Sequence, residues 1–269
     1  MADRCDKVRV PSNAHFVLVH GACHGGWSWY KIRCLLEGAG QKVSCPDLSS
    51  SGIDPSDANT IFTFQDYNKP VDDILASLPR GEKVILVGHS AGGHSVTEAV
   101  QNHPDKIQAA VFVGATMLRN GFQTEQDRIE GAPDLSRYGE IYDYEYGQGH
   151  DNPPTSVIFK KEFQREILYQ RSPLEDCTLA AMLLRLCPVR ALSRAMFPEG
   201  KGSDKVPRVY IKTLHDNVLS REQQDVMIKR WPPSNVYEID SDHCPMFSNP
   251  SHLFGLLLKV AANSGDNLF

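Results

Sequence analysis

Apolar residues are grouped into six short runs that recur along the chain, and most stretches between them carry apolar residues at helical spacing. Runs that are apolar on both faces and separated by amphipathic helices are typical of a parallel sheet covered by helices on both sides. The pattern therefore predicts an α/β fold with a doubly wound, mostly parallel six-stranded sheet. The predicted strands are His15 to Val19, Lys42 to Cys45, Val84 to Val87, Ala109 to Val113, Val209 to Ile211 and Val236 to Ile239.

The alternation of strands and helices is interrupted once, because about 90 residues separate the fourth apolar run from the fifth, far more than one crossover needs. We interpret residues 117–207 as an inserted helical lid that covers the carboxyl edge of the sheet. Residues 1–116 and 208–269 are then the two parts of the α/β core. The predicted helices of that core are Trp29 to Glu37, Asp66 to Leu78, Gly92 to Asn102, Arg221 to Lys229 and Ser251 to Ala262.

The insertion begins with an acidic, tyrosine-rich stretch, YGEIYDYEYGQGHDNPP, and continues with helical patterns. Phe159, Phe163 and Ile167 follow one another at spacings of four, and LAAMLLRL comes after them. The aromatic side chains either line a flat pocket or pack the lid's own core, and the sequence leaves both interpretations open. These side chains are Tyr138, Tyr142, Tyr144, Tyr146 and Phe159. Tyr144, Phe159 and Met117 are the predicted substrate contacts.

Charge and composition exclude several classes of partner. The chain has 269 residues and a net charge of −5, without the basic stripe that nucleic-acid binding requires. No apolar run approaches the roughly 18 residues that span a bilayer, and the N-terminus lacks the apolar run of a signal peptide. We therefore expect a cytoplasmic protein without membrane or nucleic-acid partners. The seven cysteines form no CxxC pair and are interpreted as reduced thiols.

The sequence GHSAG at residues 88–92 has the form G-x-S-x-G, with the strand VILV before it and the helix GGHSVTEAV after it. In this context the serine lies on a tight strand-to-helix turn that exposes its hydroxyl, and the flanking glycines avoid collisions in the crowded turn. Ser90 is therefore the candidate nucleophile. The alternative, a βα turn with an N-capping serine, explains the bare five-residue pattern but is disfavoured by the strand and helix around it.

Two backbone amides are candidates for an oxyanion hole. The amide of Ala91 lies at a helix N-terminus, where it has no partner within the helix. The segment HGACHGGWSWY follows the first strand, and its small residues allow the amide of Ala22 to approach the same oxygen. The alternative interpretation is that Gly25 and Gly26 only form the start of the next helix and that the segment has no role in an oxyanion hole.

A serine nucleophile needs a base, and the base needs an acid that orients it. In this topology the acid precedes the histidine, and each follows a later strand. Asp216 comes just after VYIKTLH and His243 just after VYEIDSD, so they are the predicted acid and base.

Rival residues fit these roles less well. His89 and His94 are too near Ser90 in sequence to reach round to its hydroxyl, and His215 is expected to point away from Asp216 on an extended segment. Asp240 and Asp242 are interpreted as solvated turn residues.

A metal site or other cofactor is not predicted. His20 and His24 have HxxxH spacing, but no acid or cysteine partner stands at ligand spacing, and they lie on a loop. The sequence GHSAGG also lacks the Gly-Lys-Ser/Thr ending of a phosphate-binding loop.

The sequence resembles the α/β-hydrolase superfamily and, more narrowly, the plant methylesterase and hydroxynitrile lyase family. The resemblance extends from HFVLVHGACHGGWSWYK through EKVILVGHSAGG to VPRVYIKTLHDN and SDHCPMFSNP. By position it implies Ser90 as nucleophile, Asp216 as acid, His243 as base, and the amides of Ala22 and Ala91 as the oxyanion hole. DNPPTSVIFKKEF and SPLEDCTLAAMLLR look most like the branch that contains pheophorbidase, with polyneuridine aldehyde esterase more distant.

The resemblance implies a small-molecule partner, the methyl ester of an apolar β-keto or β-aldehyde acid that can then lose carbon dioxide. Two departures disfavour the lyase alternative: Gly21 stands where cyanogenic members have threonine, and Cys244 stands where they have lysine. A lysine would stabilise departing cyanide. A small-molecule receptor with the same pocket and a homodimer are both left open.

Overall fold

The computed structural model describes residues 13–265 of the chain. Residues 1–12 and 266–269 lie outside this range, so the prediction of a reduced thiol at Cys5 is not addressed. The strands are β1 (His15–Val19), β2 (Lys42–Ser44), β3 (Val84–His89), β4 (Ile107–Val113), β5 (Tyr142–Glu145), β6 (Ser156–Phe159), β7 (Arg208–Thr213) and β8 (Asn235–Ile239).

Six of these strands form one sheet in the order β2-β1-β3-β4-β7-β8. Every neighbouring pair in this sheet is parallel. The order runs outward from β1 in both directions, as in a doubly wound sheet, and the predicted fold class is confirmed. All six carboxyl ends therefore meet at one edge, where the residues that follow β1, β3, β7 and β8 come together.

The α-helices of the described residues are α1 (Tyr30–Gly38), α2 (Phe64–Ser77), α3 (Gly92–Asn102), α4 (Glu125–Gly131), α5 (Lys161–Ile167), α6 (Leu174–Leu183), α7 (Val189–Leu192), α8 (Arg221–Arg230), α9 (Pro245–Ser248) and α10 (Pro250–Gly265). Side-chain caps fix several of the starts. Thr63 accepts a hydrogen bond from the amide of Asp66 at the start of α2, and Ser220 and Gln223 form a reciprocal capping box at the start of α8. The five predicted core helices agree with the structure to within about three residues at each end.

Side chains of β1 alternate between two apolar layers, one on each face of the sheet. Phe16 and Leu18 pack in a cluster with Trp29, while Val17 and Val19 pack in a second cluster on the other face. All are fully buried. Burial of each such side chain contributes about 1.5–3 kcal/mol, so the six-stranded sheet with its two layers forms a rigid support for its carboxyl edge.

Residues 117–207 contain an element that the sequence pattern did not reveal. Here β5 and β6 pair as a two-stranded antiparallel sheet, with Tyr142 opposite Phe159. The prediction of a helix that includes Phe159 is wrong, because Phe159 ends β6 and α5 begins at Lys161. The alternating segments YDYE and SVIF pair with each other, and this non-local pairing overrides the helical spacing of Phe159, Phe163 and Ile167.

Among residues 13–265, no helix combines the length and the apolar composition that crossing a bilayer requires.

Candidate active site

Ser90 lies between β3 and α3 in a backbone conformation that is uncommon for a residue with a side chain, with φ at +54°. Its carbonyl oxygen accepts hydrogen bonds from the amides of Gly93 and Thr116, both at 3.1 Å, which hold the turn in place. A Cβ on Gly88 would lie 2.4 Å from the carbonyl oxygen of Gly92, and a Cβ on Gly92 would lie 2.7 Å from that of His20. Both flanking positions therefore require glycine, as the sequence motif predicts.

Asp216 follows β7, and its carboxylate has four hydrogen-bond donors. Oδ1 accepts from the amides of Val218 at 2.7 Å and Leu219 at 2.9 Å. Oδ2 accepts from the hydroxyl of Thr213 at 2.7 Å and lies 2.8 Å from Nδ1 of His243. The Asp216 side chain is fully buried. Because every acceptor site is occupied, the carboxylate has one fixed orientation.

His243 follows β8 in the loop before α9 and is 2 % exposed. Since its Nδ1 donates to Asp216, Nε2 is on the opposite side of the ring, and the ring lines the same cavity as Ser90. Nε2 of His89 donates to the carbonyl oxygen of His243 at 2.7 Å, which ties the histidine loop to the residue before the serine. The three residues predicted as nucleophile, acid and base thus lie at the same edge of the sheet.

The rival residues have other partners. Nε2 of His215 lies 2.7 Å from Oδ1 of Asp240, so its ring turns away from Asp216. Asp240 is exposed and also pairs with Arg171, in agreement with the interpretation as a solvated residue. The same interpretation is wrong for Asp242.

Asp242 is fully buried. Its Oδ2 accepts from the amide of Arg171 and the hydroxyl of Ser172, and its Oδ1 from the amide of Cys244. The sequence around Asp242 is polar and suggests a turn, but the inserted segment packs over it. Asp242 therefore connects the histidine loop to the insertion.

The loop after β1 places Ala22 beside the serine turn, and both Ala22 and Ala91 line the cavity with Ser90. Among residues 13–265, neither of the two alanine amides has an acceptor. Two unpaired N–H groups beside one hydroxyl are the arrangement that stabilises an oxyanion.

A histidine that sequence reasoning weighed only as a metal ligand supports this loop. His24 is buried, and burial lowers its pKa to about 4, so the ring is neutral. Its Nδ1 donates to the carbonyl oxygen of Ala22 at 2.9 Å, and its Nε2 accepts from the hydroxyl of Tyr169 at 2.8 Å. The inserted segment, through Tyr169, therefore fixes the ring that holds Ala22 in place.

The two histidines at HxxxH spacing, His20 and His24, are both bound to protein groups. In residues 13–265 no three or more histidine, cysteine, aspartate or glutamate side chains are grouped as metal ligands. His20 donates from Nδ1 to the carbonyl oxygen of Gly21 and accepts at Nε2 from the amide of Leu48. Both nitrogens of His20, like those of His24, thus have protein partners.

The cavity has a volume of about 250 Å³, and its walls are mostly apolar. Of the predicted substrate contacts, Tyr144 and Phe159 line it, and Tyr142 does so as well. Met117 does not line the cavity. Its side chain is fully buried in the core layer opposite to Phe16, and its amide contacts the sulfur of Met227. The prediction of a substrate contact at Met117 is therefore corrected: the chain turns into the core directly after β4.

Gly21 packs directly against the serine turn. A Cβ at this position would lie 2.9 Å from Cβ of Ser90 and 3.2 Å from Nδ1 of His89. The residue after His243 is Cys244, a fully buried thiol, and burial raises its pKa well above the usual value. The Cys244 thiol is therefore uncharged, and it does not line the cavity.

Comparison with known proteins identifies the family of the chain. A family model described as the alpha/beta hydrolase fold matches residues 14–250. Methylesterase 17 of Arabidopsis thaliana is 55% identical over 93% of this chain and 92% of its own length. Pheophorbidase of Raphanus sativus is 45% identical over 93% of this chain and 95% of its own length. The crystal structure of the methylesterase MES16 from Arabidopsis superposes with a TM-score of 0.84 at 44% identity, covering 93% of this chain and 99% of that one.

Proposed function

Because the chain belongs to the plant methylesterases of the α/β-hydrolase family and is a serine ester hydrolase, we propose that it cleaves the methyl ester of an apolar plant metabolite with Ser90, His243 and Asp216. The observation that carries this proposal is the strained backbone of Ser90 in one cavity with an imidazole whose Nδ1 is bound to a buried carboxylate. These features support a serine nucleophile that is activated by a histidine of fixed tautomer.

In the proposed reaction, Oγ of Ser90 attacks the ester carbonyl carbon while Nε2 of His243 takes the hydroxyl proton. The amides of Ala22 and Ala91 donate to the oxyanion that forms. His243 then gives the proton to the departing methoxy oxygen, and methanol leaves. Water attacks the acyl-enzyme by the same route, with His243 again as base, and releases the acid. Asp216 keeps Nδ1 protonated and stabilises the imidazolium in both steps.

The acyl group is proposed to occupy the apolar part of the cavity, with the inserted segment as a lid. The strand pair β5–β6 supports this role, since Tyr142, Tyr144 and Phe159 from it face the cavity. We also propose a β-keto or β-aldehyde acid, as the resemblance of the insertion to that of pheophorbidase suggests. Such an acid loses carbon dioxide without further catalytic groups, so product mass distinguishes loss of a methyl group from loss of the whole carbomethoxy group. The cytoplasmic location stays a prediction from the sequence, and the sequence leaves the oligomeric state open.

The proposal is tested by methanol release from a panel of methyl esters in excess over the enzyme. We expect many turnovers from the native protein, and a loss of about 10⁴-fold or more in Ser90→Ala. Ser95→Ala is the matched control, since Ser95 is a buried serine of α3 outside the cavity, and it should keep full activity. Release that stops after one equivalent would identify a receptor instead, and an active Ser90→Ala protein would exclude Ser90 as the nucleophile.

A further inference from the structure

His94 is a buried imidazole in the catalytic cavity that the proposed mechanism does not use. It lies in the first turn of α3, is 3 % exposed, and lines the cavity together with Ser90. Among residues 13–265, neither of its ring nitrogens has a hydrogen-bond partner. Neither nitrogen is sealed within the core, so both retain access to the cavity.

Aromatic neighbours fix the orientation of this ring. The centroid of Phe122 lies 4.7 Å from that of His94, and the ring of Phe64 lies at 6.0 Å, both nearly edge to face. Burial lowers the pKa of His94 to about 4, so the ring is neutral near pH 7 and presents one N–H donor and one acceptor nitrogen.

An unpaired imidazole is costly at an apolar position. Buried polar groups in native proteins nearly always have hydrogen-bond partners, because leaving such a group without one is unfavourable. A phenylalanine or leucine would pack against Phe122 and Phe64 without that cost. The nitrogens of His94 thus lack a partner in the protein but have space in front of them, in the cavity that receives the acyl group.

We propose that His94 recognises the acyl group of the substrate through a hydrogen bond to one uncharged polar group, such as a hydroxyl. The rest of that acyl group is apolar or aromatic, and the polar group lies on the side away from the ester. This inference rests on the proposed function, because it assumes that the acyl group occupies the cavity at Ser90. His94 sets specificity and takes no part in bond making or breaking. A neutral donor and acceptor favour an uncharged group, since a charged group would enter the apolar cavity without a counter-charge.

The test measures binding separately from catalysis, with Ser90→Ala protein as the background. The ligands are the methyl esters of phenylacetic, 3-phenylpropanoic and 4-phenylbutanoic acids, each with and without a para-hydroxyl group, so that three lengths sample the distance to His94. In at least one pair we expect the hydroxylated ester to bind tenfold or more tightly by calorimetry at pH 7. A second substitution, His94→Phe, should bring that ratio to within twofold, and His94→Gln should restore part of it.

Phe122→Leu is the matched control. It alters the cavity next to His94 without changing a hydrogen-bonding group, so it should change the affinities of both members of a pair by the same factor. Pairs that all bind within threefold of each other, a preference that survives His94→Phe, or no measurable binding of any hydroxylated ester would overturn the proposal. Failure of the proposed function looks different, as the native protein would then release no more methanol than Ser90→Ala.

Discussion

The hydroxyl of Tyr169 lies 2.8 Å from Nε2 of His24, and Nδ1 of the same ring lies 2.9 Å from the carbonyl oxygen of Ala22. Tyr169 belongs to the inserted segment and is fully buried. The insertion therefore does more than contribute residues to the cavity wall. Through one imidazole it positions the residue whose amide is proposed to hold the oxyanion.

Tyr169→Phe tests this connection. Loss of the hydroxyl leaves Nε2 of His24 buried without a donor, at a cost of about 1–3 kcal/mol, and frees the ring to turn away from Ala22. We expect kcat to fall about tenfold while KM changes less than twofold, because an oxyanion hole acts mainly in the transition state.

Tyr30→Phe is the matched control for Tyr169→Phe. The Tyr30 hydroxyl also joins the core to the insertion, through a 2.7 Å hydrogen bond to Asp176, but away from the cavity. Steady-state kinetics should show kcat unchanged in Tyr30→Phe. Equal losses of kcat in both variants would mean that kcat depends on the attachment of the insertion to the core and not on the orientation of the His24 ring.

The second prediction concerns the close contact between Gly21 and Ser90. Gly21→Ala would place a Cβ 2.9 Å from Cβ of Ser90, and neither atom can move without shifting backbone. Such overpacking costs about 1–3 kcal/mol and displaces the nucleophile. We expect kcat/KM for an aryl acetate to fall at least tenfold. Gly255→Ala in α10, where an added Cβ meets no atom within 4 Å, should keep full activity and gain up to about 1 kcal/mol of stability. Native kcat/KM in Gly21→Ala would show that the serine turn tolerates this contact.

Sequence reasoning placed the fold and the three candidate catalytic residues because these depend on local signals. Each buried strand is an apolar run, and the chemistry of a parallel sheet gathers at the carboxyl ends, where Ser90, Asp216 and His243 follow their strands. The glycines around Ser90 also reflect a local steric requirement. All of these signals can be read within a few residues.

The features that were missed or wrong depend on contacts between distant segments. The polar sequence around Asp242 suggests a solvated residue, yet Asp242 is buried because Arg171 and Ser172 of the insertion bind it. The strand pair β5–β6 forms only when the tyrosine-rich segment meets residues 156–159. The role of His24 depends on Tyr169, which lies 145 residues later. No hydrophobic periodicity in the sequence indicates these pairings. The HxxxH spacing of His20 and His24 suggests metal binding, whereas the ring of His24 contacts Ala22 and Tyr169.

The third prediction concerns the wall of the cavity. Tyr144 lines the cavity and is 48 % exposed, so it lies between the cavity and the protein surface. Tyr144→Ala should raise KM for methyl esters of polycyclic acids several-fold, because it removes apolar contact area, and leave kinetics on an aryl acetate within twofold. Tyr138 is a tyrosine of the insertion that does not line the cavity, so Tyr138→Ala should leave the kinetics on both substrates unchanged. An unchanged preference for bulky over small esters in Tyr144→Ala would remove Tyr144 from the substrate contacts.

The last prediction concerns a buried carboxyl group away from the cavity. Burial, with a smaller contribution from the nearby charge of Asp72, raises the pKa of Glu98 in α3 from 4.5 to about 7. Hydrogen bonds from Asn68 at 2.6 Å and Gln65 at 3.2 Å act in the opposite direction and are weaker. Between pH 4.5 and 7 the folded protein therefore holds a proton that the unfolded chain has released.

The contribution of Glu98 to the free energy of unfolding should consequently fall as pH rises through this window, by at most about 3 kcal/mol, and level off above pH 7. Buried histidines with a lowered pKa, such as His24 and His94, contribute in the opposite direction below about pH 6.5. Glu98→Gln removes the titrating group, so urea unfolding at pH 5 and pH 8 compares the change in the free energy of unfolding between the two proteins. That change should favour folding at pH 8 more in Glu98→Gln than in the native protein. Glu82→Gln replaces an exposed glutamate in the same way and should keep the native change between pH 5 and pH 8. If Glu98→Gln showed the native pH dependence, the titrating group would lie elsewhere, and Asp72, whose pKa burial also raises, would be the next to test.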